Sequence, residues 1–178
     1  KTNAPLYQLV GGKCNNEVPV YGYGMMLQKK SVDELIALFK EESKQIKSKN
    51  FKAMKMKVGL GPKDDLKLVQ AVRDSIGKDF KLMVDANHAY NLKDALYVGK
   101  GLDELDVYWF EEPVAPEDYE GYRELKQKIS TSIAGGEAEF TKYGWNKLIA
   151  NKCIDIAQPE VCGLGGITEY LKVAALAQ

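Results

Sequence analysis

Histidine occurs once in these 178 residues and cysteine three times. No run of apolar residues approaches the roughly 18–20 that a membrane-spanning helix needs, and no basic-then-apolar leader opens the chain. Cys14, Cys153 and Cys162 are an odd set without paired-ligand spacing, which argues against a disulfide framework or a zinc site and fits a reducing, cytoplasmic setting. There is no excess of charge either. Lys+Arg and Asp+Glu both number 25, so nothing draws the chain to nucleic acid or an anionic membrane, and a small-molecule partner is expected. A dinucleotide fingerprint, strand then G-x-G-x-x-G, is missing too, because Gly163-Leu-Gly-Gly166 has the wrong spacing. Lys1 is not methionine and the amphipathic stretch 167–178 stops without a cap, so the sequence reads as a piece of a longer protein.

What is present is alternation. A composition of 45% hydrophobic and 28% charged residues is enough for a core of ordinary size. Residues 1–17 end in Gly11-Gly12 and are too poor in apolar positions to form a unit, so they read as a linker left from a preceding domain, with the main domain at 18–178. Strand-like segments at 18–27, 51–58, 80–84, 107–110, 132–134 and 154–157 are each followed by a helical period. The helices are expected at 31–48, opened by the Ser31–Glu34 capping box, then at 64–76, 92–105, 116–129, 141–150 and 168–178. Six βα units imply a parallel sheet with right-handed crossovers. Because successive strands each end in polar groups, a (β/α)₈ TIM-type barrel, incomplete at about six units, is favoured over a doubly wound sheet.

The strand ends carry the chemistry. Val84-Asp85, Phe110-Glu111 and Gly136-Glu137 place three acids at one interval of 26 residues. Three carboxylates converging on a barrel rim repel one another unless a cation sits among them, and an all-oxygen set points to Mg²⁺, with Mn²⁺ as the alternative. The plain reading of the same residues is three solvated acids at loop starts. Lys55 and Lys57 lie on one face of their strand, with Met56 on the other. Two ammonium groups turned inward should depress each other's pKa, which makes one of them a base near neutrality. Glu160 closes the sixth strand as a second acid/base or an orienting group. Asn87 and His88 follow Asp85 and, with Tyr23 on the first strand, are the expected substrate contacts.

Together Lys-Met-Lys at 55–57, Val-Asp-Ala-Asn at 84–87, Trp-Phe-Glu-Glu-Pro at 109–113, Gly-Gly-Glu at 135–137 and Gly-Gly-Ile-Thr-Glu at 165–169 resemble the enolase superfamily. The resemblance is to its mandelate racemase/muconate lactonising branch and is similar to acid-sugar dehydratases and galactarolactone cycloisomerases. It implies that Asp85, Glu111 and Glu137 bind Mg²⁺, and that Lys57, with Lys55 beside it, removes the proton α to a carboxylate of a hydroxy- or sugar-acid. A metal-stabilised enediolate would then lead to dehydration, racemisation or cycloisomerisation, and a homo-oligomer is expected. The chain departs from the pattern at Glu160, where the branch has aspartate, and in lacking a seventh and eighth strand. Such a chain is expected to bind Mg²⁺ weakly and turn over little. The alternative is a non-catalytic, truncated metal-binding barrel.

Overall fold

A computed structural model describes residues 2–178. Six strands, β1 (Gly22–Tyr23), β2 (Ala53–Lys57), β3 (Lys81–Asp85), β4 (Trp109–Glu111), β5 (Ser132–Gly135) and β6 (Ile156–Ala157), form one sheet in the order β1-β2-β3-β4-β5-β6. Every neighbouring pair is parallel. A doubly wound sheet would reverse its order at a switch point; this one steps in a single direction, as part of a barrel does. The helices are α1 (Leu6–Leu9), α2 (Val32–Ser48), α3 (Pro62–Ile76), α4 (Leu92–Glu104), α5 (Tyr119–Lys128), α6 (Thr141–Ala150), α7 (Val161–Leu164) and α8 (Ile167–Ala177). Among the described residues no helix is long and apolar enough to cross a membrane.

Strand alternation divides the apolar residues into two layers. Met54, Met56, Leu82, Val84, Phe110 and Ile133 point outward, into one core with the inner faces of the helices. Met83, Trp109 and Ala134 point inward and form a smaller cluster with Ala53 and Ile156. That cluster fills the concave face up to the ends of the strands. Residues above it on the same face must be polar or meet a ligand, and they are Lys55, Lys57, Asp85 and Glu111.

Ser31 caps α2 with both arms of the capping box, and Gly77 at φ +82° ends α3. Three expectations change. The strand expected over 18–27 pairs only at Gly22 and Tyr23, because β1 has a neighbour on one side alone, and Val18 and Val20 stay exposed. The helix expected from residue 116 begins at Tyr119, where the Asp118 carboxylate accepts from the Gly121 amide at 2.8 Å. Two four-residue helices, α1 and α7, are also present; α7 lies between a Glu160 cap and left-handed Gly165.

Candidate active site

Register brings the charged groups together. Lys57 pairs with Asp85 across β2 and β3, and Asp85 with Glu111 across β3 and β4, so three inward side chains stand in a row. Lys57 Nζ lies 2.6 Å from Asp85 Oδ2 and also donates to Asn87 Oδ1. Lys55 Nζ lies 2.6 and 2.8 Å from the two Glu111 oxygens and 3.2 Å from Asp85 Oδ2. Asp85 Oδ1 accepts the Asn87 amide at 3.1 Å, and the Trp109 indole donates to Glu111 Oε2 at 3.0 Å. The Tyr21 ring meets Trp109 edge-on at 5.5 Å, and the exposed Tyr23 ring lies 5.4 Å from Lys55 Nζ and 6.0 Å from Lys57 Nζ.

These contacts reverse the expected lysine electrostatics. Burial does work against the charge on both, but hydrogen bonds and attraction from Glu111 and Asp85 outweigh it and raise Lys55, and the Asp85 contact raises Lys57 in the same way. The repulsion between the lysines is the smallest contribution at Lys57. Asp85 is opposed by burial but held below its usual range by Lys57 and Lys55, whereas Glu111 is raised by burial against the help of Gln158 and Lys55.

Glu112, given no role from the sequence, joins the site. Alternation would send it to the face opposite Glu111, but its φ of +44° turns the chain. Its side chain is buried, with Oε2 3.0 Å from His88 Nε2 and 3.4 Å from Asn87 Nδ2, while among the described residues Oε1 has no partner. Burial first, then the charges of Glu137 and Asp85, push its pKa up to about 7. His88 Nδ1 lies 3.0 Å from the Val114 carbonyl. A carbonyl only accepts, so Nδ1 carries a proton. Asn87 and His88 both have positive φ, +41° and +63°. Such residues cost of order 1–3 kcal/mol each and persist where surrounding bonds hold them. Here the His88 amide donates to the Glu112 carbonyl at 2.7 Å.

A second polar fixture steadies the loop after Lys57. The buried Asp65 carboxylate accepts from the amides of Gly59, Leu60 and Gly61 at 2.8–3.1 Å and from the Tyr90 hydroxyl at 2.7 Å. It therefore ties the β2–α3 loop to the β3–α4 loop. The only sequence signal for it is the Gly-Leu-Gly turn before an acid-rich helix start.

Glu137 stands two residues past β5 and is exposed. Glu160 does not enter the row of lysines and acids. Its carboxylate accepts from the amides of Cys162 at 3.1 Å and Gly163 at 2.5 Å, capping α7, and those bonds hold its pKa down. Among the described residues no three acidic, histidine or cysteine side chains already form a metal cage, because Lys55 and Lys57 engage Asp85 and Glu111. The donor chemistry nevertheless fits a hard divalent ion, since every candidate ligand is a carboxylate.

Comparison with known proteins identifies the family of the fold. The family model described as "Enolase C-terminal domain-like" matches residues 38–178. D-galactarolactone cycloisomerase of Agrobacterium fabrum is 35% identical over 174 residues, covering 98% of this chain and 46% of that protein. The crystal structure of the 3,6-anhydro-D-galactonate cycloisomerase from Zobellia galactanivorans superposes with a TM-score of 0.90 at 46% identity, over 97% of this chain and 47% of that one. A racemase from Streptomyces coelicolor with bound magnesium gives a TM-score of 0.88 at 35% identity, again over 97% and 47% of the two chains. The chain thus spans about half the length of the relatives it matches.

Proposed function

The chain belongs to the enolase C-terminal domain-like family, and from that premise we propose that it carries the metal-binding and proton-abstracting side of an enzyme acting on a hydroxy- or sugar-acid. The observation that carries this reading is the inward row of Lys57, Asp85 and Glu111 with Lys55 behind it, above a filled apolar floor. Asp85, Glu111 and Glu137 are the residues that would hold Mg²⁺, or Mn²⁺, and the ion would supply positive charge beside the substrate carboxylate.

Lys57 is the proposed base. Its ammonium is favoured by the carboxylate of Asp85, and burial is the one large influence opposing it. Whenever Asp85 is engaged by another cation, burial dominates and Lys57 gives up its proton more readily. The neutral amine then takes the proton α to the substrate carboxylate. Lys55, paired with Glu111 in the metal-free chain, faces the same space. Tyr23 and Asn87, which flank Lys57, and His88 are the proposed substrate contacts. Glu160 is engaged by two amides that hold its pKa down and weaken it as a proton acceptor, so no step is assigned to it. Return of the proton to the opposite face gives racemisation. Departure of a β-hydroxyl as water gives dehydration, and departure of a ring oxygen gives cycloisomerisation.

Exchange of the α-proton into deuterated water registers proton removal even where no product accumulates. With Mg²⁺ and a panel of galactarolactone, 3,6-anhydro-D-galactonate and gluconate, exchange on at least one acid is expected. Lys57→Met should abolish it, by roughly 10²–10⁴-fold, with Mg²⁺ binding retained. Absence of exchange across the panel, in a chain that binds Mg²⁺, would overturn the reading in favour of a metal-binding barrel without catalysis.

A further inference from the structure

A continuous polar chain leaves the proposed base. Lys57 Nζ donates to Asn87 Oδ1, Asn87 Nδ2 lies 3.4 Å from Glu112 Oε2, the same oxygen lies 3.0 Å from His88 Nε2, and His88 Nδ1 lies 3.0 Å from the Val114 carbonyl. Both ends dictate direction. An ammonium only donates, so the Asn87 atom facing it must be the amide oxygen; a carbonyl only accepts, so His88 must present a protonated Nδ1. Between them Glu112 Oε2 is the one atom that meets both Asn87 and His88. We propose that Glu112 is a positioning residue for Lys57 that acts through Asn87, an inference resting on the enzymatic reading above.

Among the described residues Asn87 has a single acceptor for its amide nitrogen, Glu112, and the two stand on neighbouring loops after β3 and β4. Remove that acceptor and the Asn87 amide is free to rotate about its last bond, so Lys57 loses an oxygen held at a set place. Glu112 itself is buried, and among the described residues its remaining oxygen has no hydrogen-bond partner. Its role therefore depends on hydrogen-bond geometry. A glutamine with its oxygen in that place still accepts from Asn87, whereas a methionine cannot.

The 178-residue chain with Mg²⁺ tests this by α-proton exchange on the same panel and by calorimetric Mg²⁺ titration. Glu112→Met should slow the maximal exchange rate about tenfold, the size of effect seen when supporting partners are removed. Substrate KM and Mg²⁺ affinity should be little changed. Glu112→Gln should recover most of the rate, and Glu112→Met should add nothing in an Asn87→Ala background. Additive effects, a glutamine variant as slow as the methionine one, or a collapse of Mg²⁺ affinity would each overturn the proposal, the last by making Glu112 a ligand. His88 is the chain's single histidine, so its imidazole nitrogens give unique NMR signals. Lys57→Met and Asn87→Ala should both move the Nε2 signal in the metal-free chain. A static signal overturns the relay whatever the exchange shows. Moved signals with no exchange on any acid leave the relay standing as a contact network, and remove both the enzymatic reading and the role assigned to Glu112 within it.

Discussion

Polar groups are buried at both ends of the strands, but the two ends handle them differently. At the N-terminal ends the charges are satisfied by backbone groups or by a partner side chain. Arg73 donates to the carbonyls of Leu105, Gly77, Phe80 and Asp106 at 2.6–3.0 Å. Asp103 accepts from the amides of Ser130 and Thr131 and from the Thr131 hydroxyl, and Asp155 accepts from the Ile133 amide and pairs with Lys126. At the C-terminal ends the charges face one another. Two lysines are shared among Asp85, Glu111 and Asn87, Glu112 keeps an unpartnered oxygen, and Asn87, His88 and Glu112 all have positive φ. Satisfied polar groups hold a fold; under-satisfied ones mark a place where something binds or reacts.

The largest expected effect comes from attacking the closed end. Arg73→Met deprives four carbonyls of a donor while keeping the apolar length of the side chain, and should cost about 4 kcal/mol by urea denaturation. Mg²⁺ affinity of the folded fraction should not change. A comparable loss of metal binding would show that the two ends are not separable. At the open end the leading effect is on pH dependence. Glu112 has a folded pKa near 7 against 4.5 for an exposed glutamate, so between those values the metal-free folded chain holds a proton that the unfolded chain has released. Stability is thus fully present below pH 4.5 and falls as pH rises through about 7, by roughly 3 kcal/mol. Glu112→Gln should flatten that slope in denaturation curves, and an unchanged slope would locate the titration elsewhere.

Much of this division was legible in sequence, for local reasons. Lys55 and Lys57 share a face because strand side chains alternate, and Asp85 and Glu111 sit where short apolar runs end; neither inference needs a partner. The sequential strand order was likewise favoured because successive strands each end in a polar group. What stayed hidden depended on contacts across the chain. The lysine pKa shifts reverse direction because Asp85 and Glu111 lie within bonding distance, which spacing does not reveal. Glu112 was masked by alternation and recovered only by its turn. Asp65 and Tyr90 are 25 residues apart and bind only through the fold. Glu160 shows the opposite error: placed at a strand end by pattern, it caps the helix that follows.

A divalent ion sharpens the contrast from the open end. Mg²⁺ at about a hundredfold over its Kd should add roughly 2.7 kcal/mol to the folded chain by mass action. If Glu137 is a ligand, Glu137→Ala loses most of that increment at the same Mg²⁺ concentration. A full increment in the variant would leave Asp85 and Glu111 holding the ion without it. Arg73→Met should retain the increment, since Arg73 contacts only carbonyls at the other end.

The smallest effect probes the closed end at one bond. Thr131→Val keeps the shape of a residue at 6% exposure and removes a hydroxyl that donates to Asp103 at 2.7 Å. Asp103 still accepts from two amides, so its charge stays compensated and the loss is about 1 kcal/mol, the ordinary net value of one hydrogen bond. Removing a single bond from a shared set should be nearly additive with any change at the open end, because no side chain belongs to both networks. A Thr131→Val/Glu112→Gln pair measured against the single variants checks this directly. Marked non-additivity in thermal or urea denaturation would mean that the strands transmit strain from one rim to the other, and that the two ends form one cooperative polar system.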